Sequence, residues 1–425
     1  MSRGWKLFLL ASLILGSLLR FCWVNDMEYK EDEEYNYTQS QKVGTTIGWP
    51  LIGMPSGVYI PNPGMSVWIF AVLAKLTGAK TPTELDHAVE GFALLGILMI
   101  LPFAEWFVRR PERPIWFWAF ALAMVNPFQV FYQRKLWPEP FLPFFTILML
   151  MGWWRREKKG GAFVWGLIGA VLGQIHMSGF FFSAGFWLWT LAFGKKVHWR
   201  AWMLGTLLSL IPLLPWLKWV LTHPAGGTVA SGIEEAMQLK FWVFWITDPL
   251  GLHLGNPLGL LRSQNTLERI SEFARYPLVG RAPTYIVGAA HALVLGVGLV
   301  IYIPGIYRAF RKRKRLSRLV IGRGSDSAFA QNAGFWGFGI LMTATTVVIR
   351  RYYMMVSFPL EFIFLIQMAY LFPDRAKKLL SVLWIAELVI SLGFVWFIHV
   401  NQGSLEGDYG KAYHLIQPVI KPILH

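Results

Sequence analysis

The sequence predicts an all-α polytopic membrane protein with about eleven transmembrane helices, and three observations predict it. Of the 425 residues, 55% are hydrophobic and only 15% charged, which is oilier than ordinary soluble domains. The apolar residues gather into runs close to the roughly 20 residues a helix needs to cross a bilayer core. The 40 Lys and Arg punctuate those runs instead of collecting on one water-facing surface. The formal charge of +16 therefore reads as membrane topology, and no nucleic-acid partner is expected. Cys22 is the single cysteine, which excludes internal disulfides and CxxC metal or redox motifs.

The first crossing is expected near residues 7–24 (LFLLASLILGSLLRFCWV). Arg3 and Lys6 precede it and no small-x-small cleavage site follows it, so it reads as a retained helix. Ten further runs lie near 87–107, 114–132, 138–154, 161–176, 178–194, 201–221, 283–305, 332–349, 354–372 and 379–400. Loops rich in Lys and Arg stay in the cytoplasm. The N-terminus and the loops 108–113, 155–160, 195–200, 306–331 and 373–378 together hold 23 of the 40 basic residues. Eight of these stand in one run, RAFRKRKRLSRLVIGR (308–323), which also suits anionic lipid headgroups. Most acids, among them Asp26, Glu28, Glu84, Asp86 and Glu139, fall on the opposite side. A multi-pass protein of the inner (cytoplasmic) membrane is expected, with its N-terminus in the cytoplasm and its polar clusters outside.

The organisation is then one transmembrane domain over 1–400, with long external segments at 25–86 and 222–282, and a short external tail at 401–425. Segment 25–86 holds an acidic stretch, a Gly/Pro-rich stretch (GWPLIGMPSGVYIPNPG, 48–64) and a moderately apolar piece, MSVWIFAVLAKLTG (65–78). That piece is short for a crossing and would spoil the charge alternation, so an interfacial or re-entrant helix is expected. Segment 222–282 mixes Trp, Phe and charges in a way that suits helices lying on the membrane surface.

Four outward clusters are candidates for chemistry. KEDEEYNY (30–37) places Glu31, Asp32, Glu33 and Glu34 in succession, and such mutual repulsion needs a cation, a basic partner or a raised pKa. One of these carboxylates could take a proton from a hydroxyl; a solvated acidic loop is the competing explanation. YQRKLWPEPF sets Arg134 five residues before Glu139. An Arg there suits a phosphate through its planar fork, or else anchors the helix ends. GQIHMSGF puts His176 and Ser178 between two apolar runs, where a polar side chain usually faces the protein interior. IRRYYMMVSFP carries Arg350, Arg351, Tyr352 and Tyr353 on the outer side, against the charge rule, and so calls for an anionic partner. A lipid phosphate is one such partner, and an ion pair with the first-loop acids is the other.

In order and topology these clusters resemble the polytopic, polyprenol-phosphate-dependent glycosyltransferases of the GT-C fold. Similar members are the protein O-mannosyltransferases and the aminoarabinose transferases that modify lipid A. The resemblance places the family's first-loop acidic pair on Asp32 and Glu33, with Asp32 as the base that deprotonates the acceptor, and its following aromatic on Tyr35 or Tyr37. It places the second-loop Arg and acid on Arg134 and Glu139, where Glu stands in place of Asp. Arg350, Arg351 and Tyr353 fall on the segment expected to engage the lipid phosphate, and His176 on a polar position at the cavity mouth where some relatives have Lys. A divalent cation, magnesium or manganese, held by Asp32 and Glu33 is also implied as an option.

The function so implied is inverting transfer of a sugar from a polyprenyl-phosphate-linked lipid to an acceptor on the extracytoplasmic side. The acceptor could be protein, lipid or polysaccharide. A base serves the acceptor hydroxyl, and the phosphate leaves as a stable anion. Two alternatives stay open. A lipid or glycan flippase predicts polar residues spread through the midplane. An O-antigen polymerase or ligase predicts a late catalytic loop, for which 222–282 offers His223, His253, Arg262, Arg269 and Arg275.

Overall fold

The computed structural model describes residues 2–56, 60–194, 196–223, 238–254, 272–311, 321–322, 324–345, 347–404 and 409–416. Most of the basic run 308–323, much of segment 222–282 with Arg262 and Arg269, and the end of the tail lie outside the described residues.

The described residues are overwhelmingly helical, and among them are two short antiparallel ladders, Leu278–Val279 with Ala282–Pro283 and Gly403–Ser404 with Gly410–Lys411. Among the described residues, five helices are long and apolar enough to cross a membrane: Arg3–Phe21, Pro82–Phe107, Trp199–Thr222, Ile286–Arg308 and Pro373–Asn401. Two further apolar runs are bent in the middle, Arg110–Val125 with Pro127–Gln133 by 58° and Arg351–Ser357 with Leu360–Ala369 by 80°. Taken as single spans they raise the number to seven. Four other expected crossings are shorter helices, Leu142–Trp154, Lys159–Ile175, Ser178–Ala192 and the broken stretch from Asp326 to Ala344.

Each bend has a local cause. Pro127 cannot donate a helical hydrogen bond, and the Asn126 side chain caps the new helix by accepting from Gln129 N–H at 3.2 Å. Pro359 interrupts the second run in the same way. The break before Pro127 brings the YQRKLWPEPF motif (132–141) to the end of the first helix, where Gln133 Oε1 accepts from Arg20 Nε at 2.7 Å. Helix Ser178–Ala192 lies against residues 333–338 at a glycine contact, where a Cβ on Gly185 would collide with the Gly337 backbone. Small residues let helix backbones approach closely. As expected, 65–78 forms a helix too short to span, Met65–Thr77, closed by Gly78 at φ +72°.

Candidate active site

The four successive acids turn out to be the first turn of a helix, Glu31–Lys42. Its free N–H groups and positive end favour negative charge, and the turn fans the carboxylates apart. Glu33 folds inward, is buried, and accepts from Lys30 N–H at 3.1 Å. Asp32 instead lines a cavity of about 370 Å³. Burial pushes the Asp32 carboxyl up, while Lys135 pulls it down.

Two tethers hold this helix against the YQRKLWPEPF loop. Asn36 Nδ2 donates to Leu136 O at 2.7 Å. Glu28, just before the helix, bridges Lys30 at 2.9 Å and the buried Lys135. Lys135 also sits over the rings of Phe131 and Trp137, 4.6 and 4.2 Å from their centroids. Trp137 and Glu139 continue from it into the cavity wall.

The remaining walls come from distant parts of the chain. Gly53 N–H donates to Asn62 O at 2.7 Å and Asn62 N–H to Met54 O at 2.9 Å, so the Gly/Pro-rich stretch doubles back and presents Met54, Pro55, Ser56, Ile60 and Asn62. Trp216 braces it, donating from Nε1 to Pro61 O at 2.7 Å. The helix that carries Trp216 is apolar on its outer side: Leu207, Ile211, Leu214 and Leu221 expose more than half of their surface. Such a face fits lipid. Tyr352 and Tyr353 close the other side, with Tyr352 edge-on to Trp137 at 5.2 Å and Tyr353 5.3 Å from the His176 ring.

At the back of the cavity lies a buried polar chain. Glu139 Oε1 is 3.3 Å from His176 Nε2. His176 Nδ1 lies 2.8 Å from Ser178 Oγ and accepts from Ser178 N–H at 3.3 Å. Burial lowers the imidazole to about 4 and pushes the Glu139 carboxyl up to about 8, the latter reinforced by Asp32. Two carboxyl groups thus share one cavity in unlike surroundings, Asp32 on a solvated helix turn and Glu139 in a dry pocket.

Of the sequence-selected residues, Asp32, Glu139, His176 and Tyr353 meet at this cavity, together with Ser178 and Tyr352. The three arginines do not. Arg134 is buried under the end of the first helix, where it donates to the carbonyls of Leu19, Arg20, Cys22 and Trp23 at 2.8–3.3 Å. Arg351 Nη1 pairs with Asp248 at 2.9 Å, and the Arg351 guanidinium packs on Phe244. The anionic partner expected for Arg351 is thus a carboxylate from segment 222–282, outside the first loop. Arg350 is exposed. Among the described residues, no Lys or Arg lines the cavity.

Tyr35 packs on the small cluster of Val43, Val67 and Ala71. Tyr37 donates to Lys80 O at 2.5 Å. Both act as struts for the Asp32 helix. Asp32 and Glu33 diverge, and among the described residues no three His, Cys, Asp or Glu side chains converge as metal ligands. The pair therefore does not fit a two-carboxylate cation clamp. Lys135, Asn62 and Trp216 were not singled out from sequence. For Lys135 the aromatics flanking it in FYQRKLW were a readable signal, whereas nothing local marks Asn62 or Trp216.

No family model matches the chain, and no curated protein matches it. Solved structures similar to it include ArnT from Cupriavidus metallidurans in the apo state, at 16% identity and TM-score 0.44 over 96% of this chain and 78% of that one. The same protein bound to undecaprenyl phosphate gives 14% and 0.43 over 94% and 77%. The apo oligosaccharyltransferase of Archaeoglobus fulgidus gives 11% and 0.49 over 99% of this chain and 58% of that one.

Proposed function

We propose that the chain is a membrane glycosyltransferase that moves a sugar from a polyprenyl-phosphate-linked donor to an acceptor hydroxyl on the extracytoplasmic side. One observation carries this reading: a single cavity joins a solvated carboxylate, Asp32, to a dry one, Glu139, between aromatic walls and a lipid-facing helix. The wall that carries Trp216 suits a donor whose tail stays in the bilayer. Trp137, Trp216, Tyr352 and Tyr353 offer ring faces and polar tips suited to a sugar. The motif order noted in the sequence supports the same class.

In this reading Asp32 accepts the acceptor's proton as its oxygen attacks the anomeric carbon. The bond from that carbon to the phosphate oxygen breaks on the opposite face, with inversion, and polyprenyl phosphate departs with the electron pair. Asp32 suits the base role because it is exposed at the cavity mouth, partial burial raises its carboxyl and so its basicity, and Lys135 opposes that rise by favouring the ionised form.

The test is turnover by the purified full chain in nanodiscs, supplied with a panel of undecaprenyl-phosphate-linked sugars and hydroxyl acceptors. Asp32→Asn is expected to lower the rate roughly 100-fold or more while melting like the wild type. Turnover at the wild-type rate removes Asp32 as base. Absence of transfer with every donor by the wild type overturns the assignment.

A further inference from the structure

A phosphate entering this cavity meets no lysine or arginine among the described lining residues. Its oxygens are then met by uncharged groups of the lining, which include Asn62, Trp137, Tyr352, Tyr353 and Glu139. Of these, Glu139 is the group whose geometry carries the argument. It is 3% exposed, and an ionised carboxylate so placed, without a cation in contact, is costly. Its Oε1 faces His176 Nε2, while its Oε2 is buried and has no hydrogen-bond partner among the described residues.

The hydrogen-bond polarity follows from the backbone. Ser178 N–H donates to His176 Nδ1, so that nitrogen carries no proton, and a neutral imidazole must hold its hydrogen on Nε2. That hydrogen points at Glu139 Oε1, which can only accept it. The carboxyl's own proton is thereby left to Oε2, the unpartnered oxygen of a residue that lines the cavity. Ser178 itself does not read as a nucleophile, because the backbone donors around it are engaged. Gly179 N–H donates to His176 O at 2.9 Å and Phe180 N–H to Met177 O at 3.1 Å, which leaves no oxyanion site there.

We propose that Glu139 works as an uncharged carboxylic acid, oriented by His176, whose Oε2–H donates a hydrogen bond to a phosphate oxygen of the bound lipid. The proposal rests on the transferase reading above and assigns the phosphate end of that site. It divides labour between the two carboxyls: Asp32 takes a proton at the open mouth, and Glu139 offers one at the dry end. Among the described residues, the charged and titratable groups around Glu139 are Asp32 and Glu33 on helix Glu31–Lys42, Lys135 on its own loop, His176, and Tyr352 and Tyr353 on the 351–357 turn, with the exposed Arg350 next to the two tyrosines. The two acids disfavour its ionisation, against Lys135, and burial dominates. Binding that needs the proton is therefore present below about 8 and lost as pH rises through that value.

The probe is farnesyl methyl phosphate, a phosphodiester whose single charge does not titrate in this range, with a polyprenyl-phosphate-linked sugar run in parallel. Affinities are measured for the full chain in nanodiscs between pH 6 and 9.5. The wild type is expected to weaken roughly 10-fold or more toward high pH. Glu139→Gln, which keeps a neutral donor, is expected to bind tightly and without pH dependence, and Glu139→Ala to bind weakly throughout. In the wild type alone, the ligand-induced infrared difference spectrum should show a shifted C=O band of a protonated carboxyl, so the proposal stays testable if the variants do not fold. Wild-type affinity that is flat with pH, or a Glu139→Gln profile that still falls, overturns the proposal and leaves the transferase reading standing. Failure of the wild type to bind either phosphodiester at any pH overturns both.

Discussion

Arg351 Nη1 lies 2.9 Å from Asp248 Oδ1 and donates at 2.9 Å to Leu252 O, tying the basic-aromatic turn to a segment about a hundred residues earlier. Burial pushes the Asp248 carboxyl up to about 7 in spite of the arginine. Removing the cation alone would strand a buried carboxylate. Arg351→Ala is therefore expected to cost about 3 kcal/mol, and less at acid pH, where Asp248 takes up a proton. The double variant with Asp248→Asn should recover part of the loss. Thermal melts of the four proteins at pH 5.5 and 8 check this. A single variant that keeps its melting temperature but loses donor affinity would instead return Arg351 to a phosphate role.

Arg134 makes a parallel case. One guanidinium satisfies four carbonyls at the end of helix Arg3–Phe21, groups that a helix end otherwise leaves orphaned. A lysine cannot reproduce that fork. Arg134→Lys is expected to lose several degrees of apparent melting temperature. It should lower turnover only through the displacement of the segment 24–30 that leads into Asp32. Donor affinity per folded molecule should stay within about 3-fold of wild type, as titration of the purified variant would show.

Much of this was readable in the chain, and the parts that were not have identifiable reasons. Apolar runs located the helices, but hydropathy carries no direction, so the 58° and 80° bends stayed hidden although Pro127 and Pro359 stood in plain view. The polar clusters marked Asp32, Glu139, His176 and Tyr353. Yet spacing alone could not tell that Arg134 and Glu139 face different places. The turn through Pro138, Glu139 and Pro140 sends one under the first helix and the other into the cavity. Asn62 and Trp216 meet only through the tertiary contact of Trp216 with Pro61, which no local pattern encodes.

The glycine contact between Gly185 and Gly337 sets how closely helix Ser178–Ala192 packs on residues 333–338; Ser178 opens that helix and His176 lies two residues before it, at the end of helix Lys159–Ile175. A side chain at Gly185 meets backbone on the other side, and backbone cannot step aside as a flexible side-chain tip can. Gly185→Leu should therefore destabilise by overpacking, by about 1–3 kcal/mol. It should also raise KM for the donor, since the pair at the back of the cavity moves with the helix. Gly4→Leu, at a glycine with open space around it, is the control and should leave both quantities unchanged.

Glu33 tests whether the inner member of the acidic pair belongs to chemistry or to the fold. Burial, helped by Glu28, pushes its carboxyl up to about 7, above the ordinary glutamate value near 4.3. A carboxyl raised on folding contributes stability that is fully present below its unfolded pKa and is lost as pH rises through its folded one. Wild-type stability should accordingly fall between about pH 4.5 and pH 7, by on the order of 3 kcal/mol from this group. Glu33→Gln keeps an oxygen for the Lys30 N–H and stays neutral at every pH. Its melting temperature should match wild type at pH 5 and exceed it at pH 9, with turnover at neutral pH retained. Loss of turnover in a variant that melts as expected would place Glu33 beside Asp32 in the reaction itself.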